Sequence, residues 1–133
     1  MNFKGLTVGL ALVSAFAFGM TSYAGDTAKP MLVKVHADRC GTCVRLESTW
    51  RRIEAELGDH AELLVLDVTD RETLEAARAA AQRFGISSFF DRYKSQTGIV
   101  GVLDPTGDTV AVLRGEQDFS RYEQALAEAA RGS

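Results

Sequence analysis

"MLVKVHADRCGTC", residues 31 to 43, decides how this chain is read. Its first half, as far as Ala37, is apolar and β-branched with two polar interruptions, and predicts a buried strand. The period then changes. From Gly41 onward Leu46, Trp50, Ile53 and Leu57 recur at spacings of 4, 3 and 4, which is one face of a helix, and Gly58 ends it. Both cysteines of the chain, Cys40 and Cys43, stand where strand gives way to helix.

A C-x-x-C pair has several readings. Covalent c-type haem needs His directly after the second Cys, and Val44 is there. A structural zinc site needs four ligands, usually from two such knuckles; this chain has no second pair, and its histidines are His36 and His60. A plain staple of so small a ring constrains little of the unfolded chain. The redox reading fits the position. A helix N-terminus presents unpaired N–H groups and the positive end of a dipole, which favour a thiolate at Cys40. Cys43, one turn on, is placed to resolve a mixed disulfide, and Arg39 adds a positive charge. A C-x-x-C at a strand-to-helix junction within a strand–helix–strand unit is a strong redox signal.

Further along, "ELLVLDV" (62–68) reads as a second strand, its continuous apolar run typical of a sheet covered on both faces. Thr69 to Glu72 is a capping-box pattern. The helix it opens is expected to bury Leu74, Ala77, Ala81 and Phe84 and to end at Gly85. "GIVGVL" (98–103) and "TVAVLRG" (109–115) flank the turn "DPTG", an antiparallel hairpin. A last helix starting near Asp118 or Ser120 turns Phe119, Tyr122, Leu126 and Ala129 inward. The order is strand, helix, strand, helix, strand, strand, helix. The first two strands should be parallel with a right-handed crossover, and the hairpin should add an antiparallel edge.

The chain has 133 residues, enough for one domain with a sizeable core. A formal charge of −3 offers no basic patch, which argues against nucleic acid as a partner. "MNFKGLTVGLALVSAFAFGM" carries one positive side chain, Lys4, and then an apolar run; "TSYAG" follows, with small residues Ser22 and Ala24 at −3 and −1. This is the layout of a cleavable signal peptide over 1–24. The run is short for a membrane span. A polar leader (25–30) and a domain over 31–131 would remain, with 14 basic against 18 acidic side chains. The expected location is periplasmic or secreted, where disulfides persist, with no stable membrane anchor after cleavage.

The chain resembles the thioredoxin family. "MLVKVHADRCGTC" is similar to that family's first core strand, its approach to the cysteines and its C-x-x-C; "LLVLDVTD", "RFGI", "LDPTG" and Gly115 after "AVLR" match later landmarks. The resemblance covers roughly residues 31 to 130. It implies an α/β thioredoxin fold, a mixed central sheet flanked by helices, and thiol–disulfide exchange with Cys40 attacking and Cys43 resolving, through a Cys40–Cys43 disulfide. The departures are specific. Arg39 replaces the family's Trp, and Gly41 and Thr42 lie between the cysteines. Lys34 falls where the family often buries an Asp, and is expected to favour the thiolate. Ser48 replaces the helix proline. Thr97 and Gly98 take the place of the family's cis-proline segment, Thr97 offering backbone groups to a client, and Pro at 98 is expected to be tolerated. An extra segment, "SSFFDRYKSQ" (87–96), precedes them; its Phe89, Phe90 and Tyr93 either complete the core or form an apolar lip. His36 is either a hydrogen-bonded neighbour of the site or part of it. Trp50 belongs to the core and His60 to a solvent loop.

These readings imply a thiol–disulfide oxidoreductase that needs no cofactor and no metal, exchanging with protein clients and a redox partner protein. Two rivals use the same residues. One is a metal-handling protein holding Cu(I) or Zn on Cys40, Cys43 and His36. The other is a non-catalytic interaction module with a structural disulfide.

Overall fold

A computed structural model describes residues 28–132. The signal-peptide reading of 1–24 and residues 25–27 of the polar leader lie outside the described residues. The elements run β1 (Met31–His36), α1 (Gly41–Leu57), β2 (Glu62–Asp67), α2 (Arg71–Arg83), α3 (Ser87–Tyr93), β3 (Ile99–Leu103), β4 (Thr109–Arg114) and α4 (Phe119–Arg131). Their sheet has the order β2-β1-β3-β4. β1 and β2 are parallel, with Lys34 opposite Val65; β1–β3 and β3–β4 are antiparallel. The strand directions read from the sequence are therefore those observed.

Alternation along β1 sorts the two faces of this sheet. Leu32 and its same-face neighbours pack against Leu46, Trp50 and Ile53 of α1 and against Tyr122 and Leu126 of α4. Met31, Val33 and Val35 pack on the other side with Ala77 and Ala81 of α2 and Phe89 and Phe90 of α3. The sheet is thus a middle layer between two helical ones. Burying a large apolar side chain contributes about 1.5–3 kcal/mol, and Leu32, Val33 and Val35 are all fully buried. β1 therefore sits at the centre of the core and carries the cysteine junction at its end.

Three readings change. The extra segment 87–96 is in part a helix, α3, which adds an element to the expected order. Its Phe89 and Phe90 are buried, so they complete the core and do not form a lip. Gly101 of β3 admits the Phe89 ring: a Cβ there would lie 2.3 Å from Phe89 Cε2. The cap of α2 is Asp70, not Thr69. Its carboxylate accepts from Thr73 N (2.8 Å), and Thr73 Oγ1 accepts from Asp70 N (2.9 Å). Thr69 is instead tied to Asp67 and accepts from Asp38 N (2.9 Å). Phe84 is exposed, because α2 ends before it and Ile86 takes the buried place. Trp50 is buried and His60 exposed, as expected.

The closing elements are fixed by short-range polar contacts. In the β3–β4 turn, Asp104 accepts from Thr106 N (2.9 Å) and Asp108 N (3.0 Å). The Asp118 carboxylate caps α4 through Ser120 N (3.0 Å), and the Tyr122 hydroxyl donates to Glu116 O (2.7 Å). Burial, reinforced by the Glu116 charge, pushes the Tyr122 phenol far up, so it stays a donor at any ordinary pH.

Candidate functional site

The cysteines stand at the first turn of α1. Cys40 is the N-cap residue, in extended conformation, and its Sγ accepts from Cys43 N (3.1 Å). The two are joined as a disulfide, with Cα atoms 5.2 Å apart. Their exposures differ. Cys43 is 2% exposed, while Cys40 is half-buried. A molecule arriving from solvent meets Cys40 first. No acidic side chain stands in the first turn of α1, so nothing there opposes the N-terminal dipole.

The loop into the site is held at an unusual angle. Arg39, directly before Cys40, has φ +60°, in the left-handed region that side chains resist. The loop is anchored on both sides of this residue. Asp38 N donates to Thr69 beyond β2, and Val44 N donates to Cys40 O (3.1 Å). His36 Nε2 lies 3.6 Å from Asp38 Oδ1, and its Nδ1 is buried without a hydrogen-bond partner among the described residues. Next to it, burial pushes the Asp67 carboxyl up, but hydrogen bonds from Thr69 and the His36 charge outweigh this and hold it below its usual range.

Thr42, between the cysteines, is enclosed by two glycines from the other end of the chain. A Cβ on Gly98 would lie 2.6 Å from Thr42 Cβ and Cγ2 and 3.5 Å from Cys40 Sγ; one on Gly115 would lie 3.0 Å from Thr42 Cγ2. Both glycines have positive φ, +79° and +57°, and Gly115 N donates to Gly98 O (2.9 Å). The structure thus brings Gly98 against the cysteines, with Thr97 beside it, and adds Gly115, which the sequence offered as a landmark and not as a site residue. Arg45, also missed, donates from Nη2 to Thr42 Oγ1 (3.1 Å). Their signal was recoverable only in part: an i, i+3 spacing ties Arg45 to Thr42 on a helix, but nothing local ties residue 115 to residue 42.

The expectation that proline is tolerated at 98 fails. Proline requires φ near −65° and has no N–H. Gly98 has φ +79° and donates its N–H to Val35 O (2.9 Å). The peptide bonds of the described residues are all trans.

Lys34 is buried in β1. Its ammonium points at Trp50, with Nζ 5.2 Å from the ring centroid. Burial lowers its pKa, partly offset by the charges of Glu47 and Glu54. Trp50 stands seven residues beyond Cys43 on the buried face of α1, so the ammonium meets that face about two turns in from the cysteines. Among the described residues no group of three or more His, Cys, Asp and Glu side chains is arranged to hold a metal ion, and no helix is long and apolar enough to cross a membrane.

The thioredoxin family model matches residues 19–98, more than half of the chain. The chain belongs to the thioredoxin family. Among solved structures, this thioredoxin-family chain is similar to MTB dsbF in its mixed oxidized and reduced forms, at 14% identity over 77% of this chain and 82% of that one, with a TM-score of 0.52. It is also similar to a thioredoxin-like protein in the oxidized form, at 16% identity over 75% and 79% of the two chains, with a TM-score of 0.51. Trxlp from Edwardsiella tarda EIB202 is 26% identical over 75% and 84%, with a TM-score of 0.46. At the identities of the first two, the likeness concerns the fold. A search of curated proteins finds no match.

Proposed function

We propose that this thioredoxin-family protein is a periplasmic or secreted thiol–disulfide oxidoreductase acting on protein clients. The observation that carries the reading is the asymmetry of the pair: Cys40 is half-exposed at a helix N-cap while Cys43 is buried one turn inside. In the oxidised form a client thiolate attacks Cys40 Sγ; a client–Cys40 disulfide forms, the Cys40–Cys43 bond breaks, and Cys43 leaves as a thiolate. A second client thiolate then attacks its own sulfur in the mixed disulfide, and Cys40 leaves. The client loses two electrons and two protons, and the pair gains them. The reverse sequence, with Cys40 attacking and Cys43 closing the ring, reduces a client. At each departure of Cys40 the N–H of Cys43 and the dipole of α1 stabilise the developing thiolate. The location rests on the leader-like residues 1–24, and the exchange needs a second protein to reset the pair.

Cys43→Ser is the test. It should leave a protein that accumulates mixed disulfides through Cys40, while Cys40→Ser should abolish exchange. If alkylation of the reduced protein at mildly acidic pH labels Cys43 and spares Cys40, the assignment is wrong.

A further inference from the structure

The surroundings of the exposed sulfur carry positive charge that the protein itself does not use. Arg39, next to Cys40, is exposed and has no hydrogen-bond or ion-pair partner among the described residues. Arg45, on the helix side, donates to the neutral Thr42 Oγ1. Arg114, on the sheet side, precedes the Gly115 that faces Thr42, and it hydrogen-bonds the neutral Gln96, two residues before Gly98. Among the described residues none of the three meets a carboxylate, a state they share with Arg71, Arg83, Arg92 and Arg131, whereas Arg51, Arg52, Arg78 and Arg121 each do.

The acidic groups nearest along the chain are occupied. Asp38 faces His36, Glu116 faces Arg121 at 4.0 Å and accepts from Asp118 N, and Asp67 is held by Thr69. In a chain of formal charge −3, three guanidinium groups without a carboxylate partner thus belong to the loop, the helix turn and the strand end that meet around Cys40 and Thr42. Guanidinium groups pair with carboxylates in a fork geometry that suits them to recognition, and a like-charged client would be repelled.

We infer that the client is an extended polypeptide segment carrying Asp or Glu on both sides of its reacting cysteine, read by Arg39, Arg45 and Arg114. This rests on the exchange reading above and adds the chemistry of the substrate. Arg39 directly precedes Cys40, whereas Arg45 and the Arg114–Gly115 end of β4 meet at Thr42 beyond it, so one segment reaches both groups by running past the sulfur in extended form with its acids flanking the cysteine. In the first step its thiolate attacks Cys40 Sγ and Cys43 leaves, as already written.

Three disulfide-cleaving or disulfide-forming peptides of one length, with acidic, neutral or basic residues around the cysteine, test it on the full protein by stopped-flow Trp50 fluorescence or quenched product analysis. At low ionic strength the acidic peptide should react about tenfold faster than the basic one. The ratio should fall toward one in about 0.5 M salt, where the screening length is a few ångströms. It should also fall toward one in the Arg39→Gln/Arg45→Gln/Arg114→Gln variant, whose fold is checked by circular dichroism. Single Arg45→Gln and Arg114→Gln variants, each lowering the ratio in part, supply the same readout if the triple variant does not fold. Equal rates in the wild type, or a ratio that survives both salt and substitution, overturn the inference and leave the oxidoreductase reading standing. A small dicarboxylate disulfide that matches the acidic peptide overturns the commitment to a polypeptide. If no peptide reacts at all, the exchange reading itself falls.

Discussion

The two faces of the sheet are built to different rules. The α2/α3 face is apolar throughout: Val33, Val35, Leu66, Ile99 and Leu103 meet Phe89, Phe90 and two alanines, and a glycine at 101 lets the Phe89 ring approach the strand. The α1/α4 face admits a buried lysine, a buried threonine bonded to Gln117 O, and a Trp50 whose indole N–H is buried without a hydrogen-bond partner among the described residues. Buried polar groups without full partners cost stability. They accumulate on the side whose helix carries the cysteines, and the opposite side supplies apolar packing without them. The difference suggests a division in which one face stabilises the domain and the other holds the site in a constrained arrangement.

The sharpest way to break that division is to damage the apolar face and look for an effect at the sulfurs. Phe89→Ala removes a buried ring from the α3–β3 contact and should destabilise the domain by about 3–5 kcal/mol in denaturant unfolding. The reduction potential of Cys40–Cys43, measured where the variant is still folded, should not move. A shifted potential would mean the two faces are coupled through β3.

A smaller effect is expected at the floor of the site. Gly98→Ala places a Cβ in the left-handed region, at about 1–2 kcal/mol, and drives it into Thr42. The steric part belongs to a pair, so Thr42→Gly in the same chain should recover it and leave the backbone strain. A double-mutant cycle read by thermal unfolding separates the two. If the double variant is no better than the additive sum, Thr42 does not occupy the space above Gly98.

How much of this was legible depends on the range of the signal. β1, α1 and the parallel β1–β2 pairing follow from a change of period across residues 31 to 57 and from the helix between two strands, both local features. So does Cys40 as a cap, since the junction is visible in "ADRCG". The helix α3 was not legible because seven residues give too few turns to show a period, and because its two phenylalanines fit core or lip until both are seen buried, with Gly101 beneath Phe89. The Asp70 cap was missed because Thr69 offered an equally good pattern one residue earlier, and its hydroxyl is diverted to the loop before the cysteines. The enclosure of Thr42 by Gly98 and Gly115 is long-range, set by the start of β3 and the end of β4 lying beside the first turn of α1. Gly98 was singled out by resemblance, but its positive φ was not visible in the sequence, and so proline at that position was misjudged.

The smallest effect concerns Lys34, the polar residue that most clearly separates the two faces. Lys34→Met keeps the length of the side chain and removes the buried charge, and should stabilise the domain by about 1 kcal/mol at neutral pH. The pH dependence gives the sign. In the unfolded chain the amine titrates near its ordinary 10.5; in the folded protein burial lowers that value, with Glu47 and Glu54 opposing. Between the lowered value and 10.5 the unfolded state binds more protons, so wild-type stability rises with pH across that window. The methionine variant has no such rise, and its advantage should therefore be full below the lowered value and shrink as pH approaches 10.5. Parallel denaturant titrations of the two proteins over that range measure it, and an advantage that stays constant would mean the amine is not desolvated. The same variant tests whether the ammonium acts on the sulfurs. Its ammonium faces Trp50 and feels the charges of Glu47 and Glu54, so the pH midpoint for alkylation of Cys40 should stay where it is; a rise in that midpoint on substitution would show that Lys34 favours the thiolate from its place beneath α1.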